Sequence, residues 1–146
     1  MSLHSYTKIW LHIIWETLNR DKLLFAETAK TVSAFLFNYS KDKGLFMRIN
    51  YVNPEHVHVL VELPTNMTVE ECVKLLKGAS SHYINQERLL HGKFSWGRGY
   101  AAFSVSESQV DKVAEYISNQ KEHHKFKNFC EEYEEFILKH KVDVNR

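Results

Sequence analysis

The stretch Pro54-Glu55-His56-Val57-His58-Val59-Leu60-Val61-Glu62-Leu63-Pro64 constrains the fold more than any other. Its ends are the chain's two prolines, which cannot donate to a β-ladder and so mark where one begins and stops. Between them Val57, Val59, Val61 and Leu63 alternate onto one face, the period of a strand packed on a core. His56, His58, Leu60 and Glu62 then share the other face. Side chains two apart on such a face stand about 6.6 Å from one another, near enough for two imidazoles to lean onto one ion. From pattern alone the pair divides evenly between two readings. One is a two-nitrogen metal site on a rigid strand; the other is ordinary polar groups on a solvated face, in a chain with nine histidines.

The flanking sequence predicts what surrounds this strand. Tyr6 to Glu16 is aromatic and β-branched and reads as a first, central strand. Glu27 to Lys43 sets Ala29, Val32, Phe35, Leu36 and Tyr39 at helical spacing and stops at Gly44. Leu45 to Asn53 is a second strand, turned by Asn53-Pro54 into a hairpin with the histidine strand. Thr68 with Glu71 is a capping-box signature for a helix running to about Gln86, with Lys74, Lys77 and His82 on its polar side. Gly99 to Val105 is a short strand. Ser106 is expected to cap a third helix that carries Val110, Val113, Ala114 and Ile117 inward and continues to about His124. Phe126 to His140 reads as a last amphipathic helix with the acidic patch Glu131-Glu132-Tyr133-Glu134-Glu135. This order predicts an α+β fold: a ferredoxin-like antiparallel sheet with two helices on one face and an added C-terminal, tyrosine-bearing helix on or near the other. Residues 1–146 read as one domain.

A formal charge of +1 makes net charge no argument for nucleic acid. Its distribution is more telling: residues 1–50 carry seven Lys/Arg against four Asp/Glu, 65–100 five against three, and 101–146 seven against nine. A basic surface on the first two-thirds would suit a polyanion. Cys72 and Cys130 lack any C-x-x-C partner and are expected to be reduced and at least half buried. With no N-terminal apolar region and no run of about 18 apolar residues, a cytoplasmic protein without membrane contact is expected.

His56-Val57-His58, followed about sixty residues later by Tyr116-Ile117-Ser118-Asn119-Gln120 on a helix, resembles the single-tyrosine transposases of the HUH class, from small bacterial insertion sequences and their repeat-associated relatives. The resemblance extends to Val73 to Ser81, to Phe94-Ser95-Trp96 and to Gly99 to Ser106. It implies that His56, His58 and Gln120 hold one Mg²⁺ or Mn²⁺ and that Tyr116 is the nucleophile, forming a 5′-phosphotyrosine and a free 3′-hydroxyl. Chemistry alone would name zinc for a histidine pair, so the choice of ion comes from the resemblance. His124 follows on the same face and reads as a solvated helix end.

The resemblance further implies a single-stranded DNA hairpin as partner, and a homodimer in which the tyrosine helix serves its own or its partner's histidines. Lys74, Lys77, His82, Trp96 and Arg98 are the candidate nucleic-acid contacts, with Phe94 and Tyr100 beside them. Taken singly, each reads more readily as part of an ordinary solvated charged face; it is as a group that they suit single-stranded or hairpin DNA. Other readings are a domesticated relative that binds hairpin DNA or RNA, a repeat-processing nuclease without transposition, and a metal-binding domain unrelated to DNA.

Overall fold

The computed structural model describes residues 5–124, 127–142 and 144. Four strands, β1 (Trp10–Glu16), β2 (Phe46–Val52), β3 (His56–Glu62) and β4 (Ala101–Val105), form one antiparallel sheet in the order β2-β3-β1-β4. The helices are α1 (Ala26–Asp42), α2 (Val69–Gln86), α3 (Val110–Ser118), the short α4 (Gln120–His123) and α5 (Phe129–Lys139). This is the expected α+β arrangement, with the histidine strand paired on both sides.

Alternation sorts the sheet into two faces. Leu11, Ile13 and Trp15 of β1 and Val57, Val59 and Val61 of β3 pack against Val32 and Leu36 of α1 and Cys72, Val73, Leu76 and Ile84 of α2. The three valines are wholly buried, each contributing about 1.5–3 kcal/mol by leaving water. α2 begins at the expected capping box: Thr68 Oγ1 accepts from Glu71 N at 3.0 Å, and Glu71 Oε1 accepts from Thr68 N at 3.2 Å. Such a cap contributes about 1 kcal/mol and fixes where the helix starts.

The opposite face carries Trp10, His12 and Ile14 from β1 and His56, His58 and Leu60 from β3. Val110, Ala114 and Ile117 of α3 cover Leu60 and Trp10. Phe129 of α5 covers Ile14 and Phe103. A bulge between Met47 and Ile49 leaves Met47 in the α1/α2 core and sets Ile49 beneath α3. The tyrosine-bearing helix therefore lies over the histidine face.

Four local expectations are corrected. The third helix is broken: α3 ends at Ser118, Asn119 adopts φ −99°, ψ 23°, and α4 starts at Gln120. The Ser106 hydroxyl makes no cap bond; a 3-10 turn over Glu107–Gln109 leads into α3 instead. The last helix starts at Phe129, where the Asn128 side chain accepts from Glu131 N at 2.9 Å, and Phe126 lies outside the described residues. Cys72 is buried as expected, whereas Cys130 is exposed, since it faces away from the sheet that Phe129 and Glu132 meet.

Candidate metal and nucleophile site

β3 holds His56 and His58 with no exposed surface on either ring. Each has its Nδ1 engaged away from the centre. His56 Nδ1 meets Glu55 Oε1 at 2.6 Å, and His58 Nδ1 meets Nε2 of the buried His12 at 2.8 Å, across the β1–β3 ladder. Diagonal neighbours on paired strands are within reach of such rings. Both Nε2 atoms are thereby turned inward, the orientation that ligating histidines take when a partner holds the other nitrogen. Asn53, at the hairpin turn, places Nδ2 3.1 Å from His56 Nε2 and donates to Gln120 Oε1 at 3.2 Å.

Tyr116 and Gln120 reach the same spot from the opposite side. The Tyr116 ring lies 6.1 Å from the His58 ring and 6.4 Å from the His12 ring, edge-on to both. Gln120 is wholly buried despite the helix break. All four residues singled out by the resemblance thus come together, within one chain. Between them sits a residue that the sequence reading named only as part of an acidic patch: Glu132 of α5, 3% exposed. Its Oε1 lies 3.2 Å from His58 Nε2 and 3.4 Å from His56 Nε2. Its Oε2 accepts from the Tyr116 hydroxyl and, at 3.1 Å, from Gln120 Nε2. His124, expected to be a solvated helix end, instead contacts Gln120 Oε1 at 3.1 Å and stands 3.6 Å from Glu132 Oε1, because it lies one helical turn beyond Gln120 on the same face, beside the His56 ring.

The buried charges polarise one another. Burial alone would raise Glu132, but hydrogen bonds from His124, His56 and His58 hold it well below the usual carboxylate range. Burial would lower His56, yet Glu132 and Glu55 outweigh it and the pKa is raised. Burial lowers His58 to about 4, against a weaker pull from Glu132. His12 is lowered too, by burial and then by His58, so it is neutral. Burial and then the Glu132 carboxylate push the Tyr116 phenol far above its ordinary value. A phenol so held is a poor nucleophile until charge is drawn out of the centre or its proton is taken.

Comparison with known proteins follows the same lines. A family model described as "Transposase IS200 like" matches residues 5–120. The chain belongs to the IS200-like transposase family. It is 30% identical over 114 residues to the ISDra2 transposase TnpA of Deinococcus radiodurans, covering 75% of this chain and 81% of the relative. It is 26% identical over 128 residues to the transposase of insertion element IS200 from Salmonella typhimurium, covering 84% and 83%. A solved chain from Deinococcus radiodurans described as a transposase superposes with TM-score 0.66 at 28% identity, over 82% of this chain and 96% of that one. A REP-associated tyrosine transposase, solved bound to a REP hairpin, shares the fold with TM-score 0.61 at 16% identity, over 85% and 74%.

Within this family member four of the five candidate nucleic-acid residues, Lys74, Lys77, Trp96 and Arg98, line one open groove of about 460 Å³ between α2 and the segment 95–100. Lys74 and Arg98 line it and are exposed, as is Tyr100. Lys77 also lines it, but its Nζ donates to the carbonyls of Gly97, Arg98 and Gly99 at 2.6, 3.3 and 3.2 Å and so clamps that segment onto α2. Trp96 forms the floor: 8% exposed, it packs edge-on to Trp15 and Phe94 and donates Nε1–H to Ser80 Oγ at 3.0 Å. Its ring faces are spent on the core, so Tyr100 is the aromatic plane the groove exposes. His82 is exposed on α2 outside the groove lining. Among the described residues no helix is long and apolar enough to cross a membrane.

Proposed function

We propose that this chain cuts and rejoins single-stranded DNA at hairpin ends, in a divalent-metal-dependent reaction with Tyr116 as nucleophile. The observation that carries this reading is the meeting of Tyr116 and Gln120 with His56 and His58 at one buried point of a single chain. The donors suit a divalent ion, since ligand atoms of His56, His58 and Glu132 lie within 4.8 Å of one another and the Gln120 amide is beside them. His56, His58 and Gln120 would hold Mg²⁺ or Mn²⁺. A bound ion of this kind draws charge from the scissile phosphate and from the phosphorane that forms.

The chain's own residues do the rest. The Tyr116 oxygen attacks phosphorus, a P–O bond to the phenol forms, and the bond to the 3′ oxygen breaks. The products are a 5′-phosphotyrosine and a free 3′-hydroxyl. The phenol proton leaves along the hydrogen bond that the hydroxyl already makes to Glu132, and the departing 3′ oxygen takes up one proton from water, so that it ends as the hydroxyl. His12 and Glu55 keep the two imidazoles oriented, and α3 and α5 shield the aryl ester from water. Rejoining is the reverse attack by a 3′-hydroxyl, so no external energy source is used. The groove bearing Lys74, Arg98 and Tyr100 would take the hairpin, cations on phosphates and the ring on an unpaired base. A homodimer, paired through the open edge of β2 or β4, would carry two such sites, each with its own tyrosine.

The test is Tyr116→Phe, assayed on single-stranded DNA containing an element-end hairpin with Mn²⁺ present. The variant is expected to retain the hairpin gel shift and to yield no covalent protein–DNA adduct. Wild-type protein that shifts the hairpin but never cuts it would instead establish the binding-only relative. Failure to shift it at low salt would favour a metal-binding domain unrelated to DNA.

A further inference from the structure

We infer that Glu132, delivered by α5, is an anionic ligand of the ion held by His56 and His58, with its second oxygen positioning the Tyr116 hydroxyl. The inference rests on the metal-dependent reading above and adds a ligand beyond the family match, which ends at residue 120.

Location is the first support. Glu132 falls on the apolar stripe of α5, between Phe129, Tyr133 and Phe136, rather than with the exposed Glu131, Glu134 and Glu135. A carboxylate buried in such a stripe costs stability unless cations or strong donors meet it. Oε1 faces the inward nitrogens of His56, His58 and His124 at 3.4, 3.2 and 3.6 Å, so several ligating atoms already converge where an ion would need them. The groups that would reorient a ligand are in place: His12 and Glu55 hold the far nitrogens of the two imidazoles.

Charge is the second support. Before any phosphate arrives, two imidazoles and an amide bring no negative charge to a dication in this buried site, and an uncompensated buried dication is very costly. Among the described residues the carboxylates near the pair are Glu132 and Glu55, and Glu55 is turned to the outer nitrogen of His56. A carboxylate oxygen also moves the donor set from one suited to zinc toward one suited to Mn²⁺ or Mg²⁺. The division between oxygens follows from the contacts: Oε1 faces the imidazoles, while Oε2 takes the Tyr116 and Gln120 hydrogen bonds. Ion and nucleophile would thus be set relative to each other by one side chain.

The experiment is Mn²⁺ titration of the full chain, free ion being read by electron paramagnetic resonance, on wild type, Glu132→Gln, Glu132→Ala and His58→Ala, with parallel Zn²⁺ titrations. Glu132→Gln keeps the shape, and thermal melts of the metal-free proteins verify folding. Expected are a loss of Mn²⁺ affinity of about tenfold or more in both Glu132 variants and a fall in the Mn²⁺/Zn²⁺ affinity ratio. Unchanged or tighter Mn²⁺ binding in folded Glu132 variants, with binding lost in His58→Ala, would overturn the inference and leave the metal-dependent reading intact. Absence of Mn²⁺ and Zn²⁺ binding in wild type would remove that reading and the inference with it.

Discussion

His58 shows how much of this site depends on residues that never touch the reacting atoms. On the proposed reading its ion-facing nitrogen is available only if Nδ1 carries the proton, and His12, held neutral by burial, is the group placed to accept that proton's hydrogen bond. His12→Phe should therefore fold, yet weaken Mn²⁺ binding by about 10- to 100-fold in the same titration; unchanged affinity would show that His58 needs no such partner. The pKa shifts also fix a pH signature for the metal-free protein. His56 is raised, so its contribution is complete below about pH 6.5 and is lost as pH rises through its folded value. His58 is lowered to about 4, so the unfolded chain binds the extra proton between 6.5 and 4 and stability falls as pH drops through that window. The second effect is on the order of 3 kcal/mol. Urea midpoints should peak near pH 6.5 and decline on both sides, and a profile flat between pH 4 and 8 would contradict the coupling. His56 and His58 were legible because a period of two exposes them. His12 was not: one histidine among the apolar residues of β1 acquires meaning only when β3 is laid beside it. Glu132 left a fainter signal, a charge at the i+3 position of the stripe begun by Phe129, hidden inside a run that reads as solvated.

Among the elements, the two hairpin strands and the first two helices were legible almost to the residue, since period, prolines and the Thr68 capping box act locally, whereas β1 begins at Trp10, four residues after the expected Tyr6, and β4 at Ala101, two after the expected Gly99. The C-terminal third was less so. The break at Asn119 and the return of α5 over the sheet depend on which face is still uncovered, a property of the assembled sheet and not of any short window. α2 and the segment 95–100 divide the work of the proposed nucleic-acid groove. Lys77 is tied to three backbone carbonyls, whereas Lys74 is exposed. Lys74→Ala should weaken hairpin binding and lower the salt slope by about one, leaving the melting temperature in place. Lys77→Ala should lower the melting temperature as well, because it releases the clamp on Gly97 to Gly99. Equal effects of the two variants on stability would remove the distinction.

At the scale of the whole molecule, the proposed nucleophile, the proposed metal ligands and the groove belong to one polypeptide. On the proposed reading each subunit of a homodimer is self-sufficient. Mixing His58→Ala with Tyr116→Phe protein should restore no cleavage, and recovered activity would place the working tyrosine across a subunit boundary. The sheet divides the labour: its valine face gives stability through α1 and α2, while its histidine face receives α3 and α5 and would carry the proposed chemistry. The most direct measurement of the central claim is mass spectrometric mapping of the covalent adduct. Wild-type protein incubated with Mn²⁺ and hairpin-bearing single-stranded DNA should yield, after proteolysis and nuclease trimming, a peptide carrying a 5′-linked nucleotide on Tyr116. A nucleotide on Tyr100, Tyr133 or any other residue, or cleavage without an adduct, would contradict it.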